Sequence, residues 1–113
     1  MNPIDIDSAL KCLGSRHVLR VTVESFLAET DAMMACLGEA VEAGDLAAVK
    51  DKAHWIKGGL VYLHAEPSSL AAKRLEDSVS RGMEATGQAF GELQKEISKL
   101  KEALRDRGLF SSV

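Results

Sequence analysis

From Leu46 to Leu63 the apolar residues Leu46, Val49, Ala53, Ile56, Leu60 and Leu63 recur at steps of 3, 4, 3, 4 and 3. That series keeps one face of an α-helix turned toward a core and cannot serve a strand, whose side chains alternate every second residue. No segment of the chain sustains a period of two. The two prolines are Pro3 and Pro67, so a long middle lacks the residue that most disrupts a helix interior. The sequence therefore predicts an all-α fold.

Four more segments carry the same periodicity. Ile6, Leu10 and Leu13 share the face of a short first helix, with Asp5 as its N-cap and Gly14 as its stop. A long second helix is expected from Ser15 or Arg16 to Ala43. Its stripe is Leu19, Val23, Phe26, Met33, Leu37 and Val41, widened by Leu27 and Met34, and Thr30 fills the gap. Gly44 and Asp45 end that helix and cap the third, a joint so short that the two become antiparallel neighbours. The fourth helix begins near Pro67, a residue suited to a first turn, and closes near Gly82, with Ala71, Ala72, Leu75 and Val79 inward. The fifth follows Thr86, with Phe90, Leu93, Ile97, Leu100 and Leu104 inward and Glu92, Lys95, Glu96, Lys99 and Lys101 in solvent. The expected architecture is an antiparallel four-helix bundle over residues 4–106 with a short additional N-terminal helix covering one end. Residues 107–113 are expected to form a disordered tail.

A chain of 113 residues fits one domain. Aromatics are 4% of it, so the core must be aliphatic. The net charge of −3 argues against nucleic acid, whose phosphates call for a basic face. No apolar run approaches the roughly 20 residues that span a bilayer, and the start is acidic rather than basic-then-apolar. Membrane insertion is not expected, and the cytoplasm is the expected compartment. Cys12 and Cys36 lie within helical patterns and read as small buried apolar residues rather than a disulfide.

Within the third helix, Ala53-His54-Trp55-Ile56-Lys57-Gly58-Gly59-Leu60 sets a histidine, a lysine three residues on and a glycine four residues on along one side. At about 100° per residue, His54 lies well off the core stripe and Gly58 nearly opposite it. Lys57 stands between His54 and the core edge, and Lys50, His54, Lys57 and Val61 share a flank. Neutral imidazole is a nucleophile near neutral pH. A phosphoryl group placed on it would carry negative oxygens that a lysine ammonium can balance. Two glycines inside a helix cost up to about 1 kcal/mol each, which calls for close approach by a partner or a neighbouring helix. Phosphoryl carriage on His54 is one reading; an ordinary surface histidine is the other.

The run from Ala53 to Ala65 resembles the signature of histidine-containing phosphotransfer (HPt) domains, Ala-His-x-hydrophobic-Lys-Gly-small followed by Leu-Gly-Ala. Leu75-Glu76, Ala40-x-x-x-Gly44-Asp45 and Phe26-Leu27 extend the similarity over about residues 4–106. The resemblance implies that His54 accepts a phosphoryl group from a receiver-domain aspartate and passes it to another receiver. It implies that Lys57 steadies the phosphoryl oxygens and that Gly58, with Gly59, Val61 and Trp55, forms the receiver's docking surface. It also implies a monomeric carrier without kinase activity or a cofactor of its own, Mg²⁺ being held by the receiver. A hybrid sensor kinase in cis is one context. The chain departs from the pattern at Val61 and Tyr62, where small residues are usual, at His64, where glycine is usual, and at Ser68, where an apolar residue is expected.

Trp55, the single tryptophan, is expected to point outward, either lying over a helix seam or forming a docking rim. Val61, on the histidine's flank, is the better docking candidate. Other chemistries lack their residues. There is no His-x-x-x-His, Cys-x-x-Cys, Gly-x-Ser-x-Gly or Walker loop, so neither a metal site nor ATP binding is expected. The rival from another class is a non-catalytic helical interaction module.

Overall fold

The computed structural model describes residues 2–109. Its helices are α1 (Ile6–Leu13), α2 (Arg16–Ala43), α3 (Leu46–Tyr62), α4 (Glu66–Ser78) and α5 (Met83–Asp106), with a 3-10 turn at Val79–Arg81 between the last two. Among the described residues there is no strand, and no helix is long and apolar enough to cross a membrane.

Short polar side chains and glycines fix where these helices start and stop. Asp5 accepts hydrogen bonds from Ser8 N and Ser8 Oγ, at 3.1 and 2.7 Å. The Ser8 hydroxyl and amide hold its carboxyl below the usual aspartate range. Ser15 and Asp45 cap α2 and α3 in the same way, accepting from Val18 N and Ala48 N. Between α2 and α3, Gly44 takes φ 72°, and Asp45 N–H donates to Ala40 O at 2.9 Å. A left-handed residue here satisfies carbonyls that a helix end would otherwise leave unpaired. The joint expected at Gly44-Asp45 is thus the one observed.

Two boundaries differ from expectation. α4 gives way to a 3-10 turn after Ser78, and Val79, the first residue of that turn, still packs half-buried against the core. α5 begins at Met83, ahead of Thr86 rather than after it, because Gly82 with φ 98° makes the break. Thr86 is then an inward residue of the first turn, its hydroxyl donating to Gly82 O at 2.8 Å.

The core is aliphatic, as the composition requires. Leu19, Leu27, Leu37, Ile56, Leu60, Leu75, Leu93, Leu100 and Leu104 are all essentially inaccessible. Phe26, Met33, Val41 and Phe90 pack half-buried against them. Leu46 is half-buried at the first position of α3. Both cysteines are free and exposed, contrary to the buried role expected of them. They occupy the outer sides of α1 and α2, which periodicity alone did not separate from the inner sides.

α1 is fastened over one end of the bundle by Asp5 N–H, which donates to His64 O at 3.0 Å. Within the segment expected as a tail, Leu109 is buried and its N–H donates to Leu104 O at 2.9 Å. The rest of that segment, 110–113, lies outside the described residues. α3 packs most closely on α4.

Candidate functional site

His54 projects from the middle of α3 with 68% of its side chain exposed. Its helix supplies the reason: Ala53 and Ile56 on either side of it in sequence are fully buried, and one step of about 100° carries the intervening side chains out of the core. The active residue expected on the third of five helices therefore stands in solvent.

Across the seam, Glu76 of α4 joins the two residues that the sequence placed side by side. Its Oε2 lies 3.1 Å from His54 Nδ1, and its Oε1 lies 3.1 Å from Lys57 Nζ. The carboxylate is 15% exposed and the lysine 23%. The Lys57 hydrogen bond, reinforced by the charges of Lys57 and His54, holds the Glu76 carboxyl below its ordinary 4.5 despite its partial burial.

An ionised carboxylate can only accept hydrogen bonds. The proton in the His54–Glu76 contact must then sit on Nδ1, and in the neutral ring the lone pair sits on Nε2. That nitrogen has no protein partner among the described residues. The arrangement selects one tautomer and fixes the ring, as a carboxylate does for the histidine of a catalytic triad.

The glycines divide into two kinds. At Gly58 an added Cβ would meet nothing within 4 Å, so the surface beside His54 is open. At Gly59 it would lie 2.2 Å from Phe26 Cε1 and 2.8 Å from Cδ1. Gly59 is explained by the fit of α3 against α2, not by access for a partner. Trp55 and Val61 are exposed at 43% and 59%, and Tyr62 at 58%. Trp55 thus has an outward share, as expected, and the bulky residues at 61 and 62 stand in solvent without disturbing the core.

Glu76 is the residue whose part the sequence reading missed. It was visible only as the second member of Leu75-Glu76, since no pattern along one helix reports what faces it from another. His64 was visible as a departure from glycine, and its backbone takes φ 59°. The position keeps the left-handed conformation, and its ring reaches Cys12, with Nε2 3.3 Å from Sγ. Among the described residues no group of three or more His, Cys, Asp or Glu is placed to hold a metal ion.

A family model described as the Hpt domain matches residues 21–103. Comparisons with curated proteins and with solved structures return no match. The class defined by the helical bundle, the exposed imidazole and the family match is a histidine phosphotransfer module. This chain belongs to the Hpt domain family, whose members carry phosphoryl groups in two-component signalling, interact with receiver domains of response regulators and lack kinase activity.

Proposed function

We propose that His54 accepts a phosphoryl group from a receiver-domain aspartate and passes it to a second receiver. The single observation that carries this reading is the bridge from Glu76 to His54 Nδ1 and Lys57 Nζ, both at 3.1 Å, on an imidazole whose other nitrogen is open.

The chemistry follows from that geometry. The Nε2 lone pair attacks phosphorus, the bond from phosphorus to the aspartyl oxygen breaks, and the carboxylate leaves with the electron pair. No proton needs to move. The ring retains its Nδ1–H and gains a positive charge, which lies directly against the Glu76 carboxylate. Electrostatic stabilisation of a developing charge by a preplaced group of opposite sign is commonly a large catalytic effect. Lys57 sits on the other oxygen of the same carboxylate, and in this reading its ammonium turns toward the phosphoryl oxygens. Reversal by a second receiver's aspartate uses the same contacts in the opposite order.

Gly58 gives the approaching protein its clearance, with Trp55 and Val61 as apolar contacts beside it. Mg²⁺, in this reading, arrives with the receiver. A hybrid sensor kinase joined in cis is one source of the first receiver.

The test is direct. The protein is incubated with a receiver domain charged by acetyl phosphate, and the transferred label is examined for the acid-labile, alkali-stable behaviour of phosphohistidine. Label that disappears in His54→Gln, with the helical circular dichroism retained, supports the relay. Equal labelling of both proteins would overturn it and leave a helical interaction module.

A further inference from the structure

Beside the His54–Glu76–Lys57 bridge, an open cleft of about 560 Å³ runs along the α3–α4 seam to the 3-10 turn. Its charged lining is Lys50, Lys57, Lys73, Glu76, Asp77 and Arg81. Four cations against two carboxylates is unusual for a chain whose net charge is −3. The two carboxylates are already engaged: Glu76 with Lys57, and Asp77 with Lys73 at 3.5 Å. Lys50 and Arg81 make no ion pair among the described residues. The cleft therefore presents positive charge that no carboxylate engages, on the side of the histidine toward α4.

The partner in the proposed relay has the opposite chemistry. Its reacting group is an aspartate, and Mg²⁺ beside a phosphoryl group is ordinarily held by one or two further carboxylates. A receiver thus offers a carboxylate-rich rim around the atom that must reach Nε2. The geometry points to an electrostatic second half of the docking surface: the α3–α4 cleft, through Lys50 and Arg81, takes the acidic rim of the receiver's phosphorylation pocket and sets on which side of His54 the receiver lands. This inference rests on the relay reading above. Complementary charge at an interface acts mainly on encounter rate and register and is screened by salt. Lys50 and Arg81 should therefore govern how fast a receiver engages and how steeply that rate falls with ionic strength.

The experiment follows label transfer from an acetyl-phosphate-charged receiver domain to the protein, below saturation, from about 20 to 300 mM salt, where the Debye length shrinks from roughly 20 Å to under 10 Å. For Lys50→Glu/Arg81→Glu the transfer rate at the lowest salt is expected to fall at least tenfold, with a flattened or inverted salt dependence. Lys50→Ala/Arg81→Ala should give an intermediate loss. Lys11→Glu/Lys95→Glu makes the same change of charge on α1 and α5 and should keep the wild-type rate. Circular dichroism checks that every variant is folded. Variant rates equal to wild type at all salts would overturn the inference, as would equal losses in the Lys11/Lys95 control. A separate arm treats wild-type protein and His54→Gln with phosphoramidate, a small donor that needs no docking surface. Failure of wild-type His54 to take label from either donor would instead strike the relay reading itself.

Discussion

Phe26 of α2 fills the notch left by Gly59 of α3, so closely that a methyl group at 59 would stand 2.2 Å from the ring. The ring is half-buried against the core, so it cannot yield without leaving a packed position. Gly59→Ala is expected to destabilise the fold. Overpacking costs about 1–3 kcal/mol, and the gain of about 1 kcal/mol in helix propensity offsets only part of that. In a Phe26→Ala background the clash is gone, and the same substitution should become stabilising. Urea denaturation of the four proteins of this cycle checks it, and simple additivity would contradict the notch.

One residue earlier the outcome reverses. Gly58 has open space where a side chain would go, so Gly58→Ala should stabilise α3 by roughly 0.5–1 kcal/mol. Gly58→Glu should keep the helical content and weaken receiver binding, since it puts bulk and negative charge on the surface beside His54. Affinity unchanged in a calorimetric titration would remove Gly58 from the docking surface.

Two buried hydroxyls, Thr30 Oγ1 and Ser68 Oγ, have no hydrogen-bond partner among the described residues. Burying a hydroxyl without a partner costs about 1–3 kcal/mol, and removing it while keeping the shape recovers part of that. Thr30→Val and Ser68→Ala are each expected to raise stability by about 0.5–1.5 kcal/mol, read as a higher urea midpoint at an unchanged slope. A lower midpoint for both would mean that the hydroxyls are satisfied in solution.

Much of this was legible in the sequence because helices declare themselves locally. The 3-4 spacing in α3 specified both the buried face, with Val49, Ala53, Ile56 and Leu60 inaccessible, and the exposed direction of His54. The Gly44-Asp45 joint follows from backbone preference alone. Relations between helices were not legible. The helical period sets Gly58 opposite the core, where it faces open space, but nothing along α3 reports that Gly59 meets Phe26 of α2. Cys12 and Cys36 lie on outer sides that composition could not reveal. Glu76 acquires its part only when α4 settles on α3, since its partners are 22 and 19 residues away.

Lys57 is held ready by Glu76 rather than by solvent alone, with 23% of its side chain exposed. Its ammonium shares the Glu76 carboxylate with His54, so Lys57→Ala should slow transfer by about tenfold, equivalent to roughly 1.4 kcal/mol of transition-state stabilisation, or shorten the phosphohistidine lifetime. Rapid-quench transfer and label-decay measurements separate the two. Wild-type values for both would leave Lys57 with a structural part only.

Glu76 ties stability and chemistry to one carboxylate. Its folded-state pKa lies below the ordinary 4.5, chiefly through the Lys57 hydrogen bond. A depressed pKa means that the folded state favours the ionised form. The contribution is complete above the unfolded value and disappears as pH falls through the folded one. The stability gap between wild type and Glu76→Gln should therefore be widest near neutrality and close on acidification below about pH 4.5. Chemical denaturation across pH 2.5–7 (values chosen to bracket roughly the carboxylate range) reads it directly. The kinetic order gives a second readout that stability alone would not move. Glu76→Gln keeps an oxygen to accept from His54 Nδ1 but loses the charge opposing the phosphorylated ring, whereas Glu76→Ala loses both. Transfer rates should fall in the order wild type, Gln, Ala. Equal rates in the three proteins, or a stability gap that persists unchanged into acid, would show that the carboxylate neither fixes the imidazole nor draws its low pKa from the bridge.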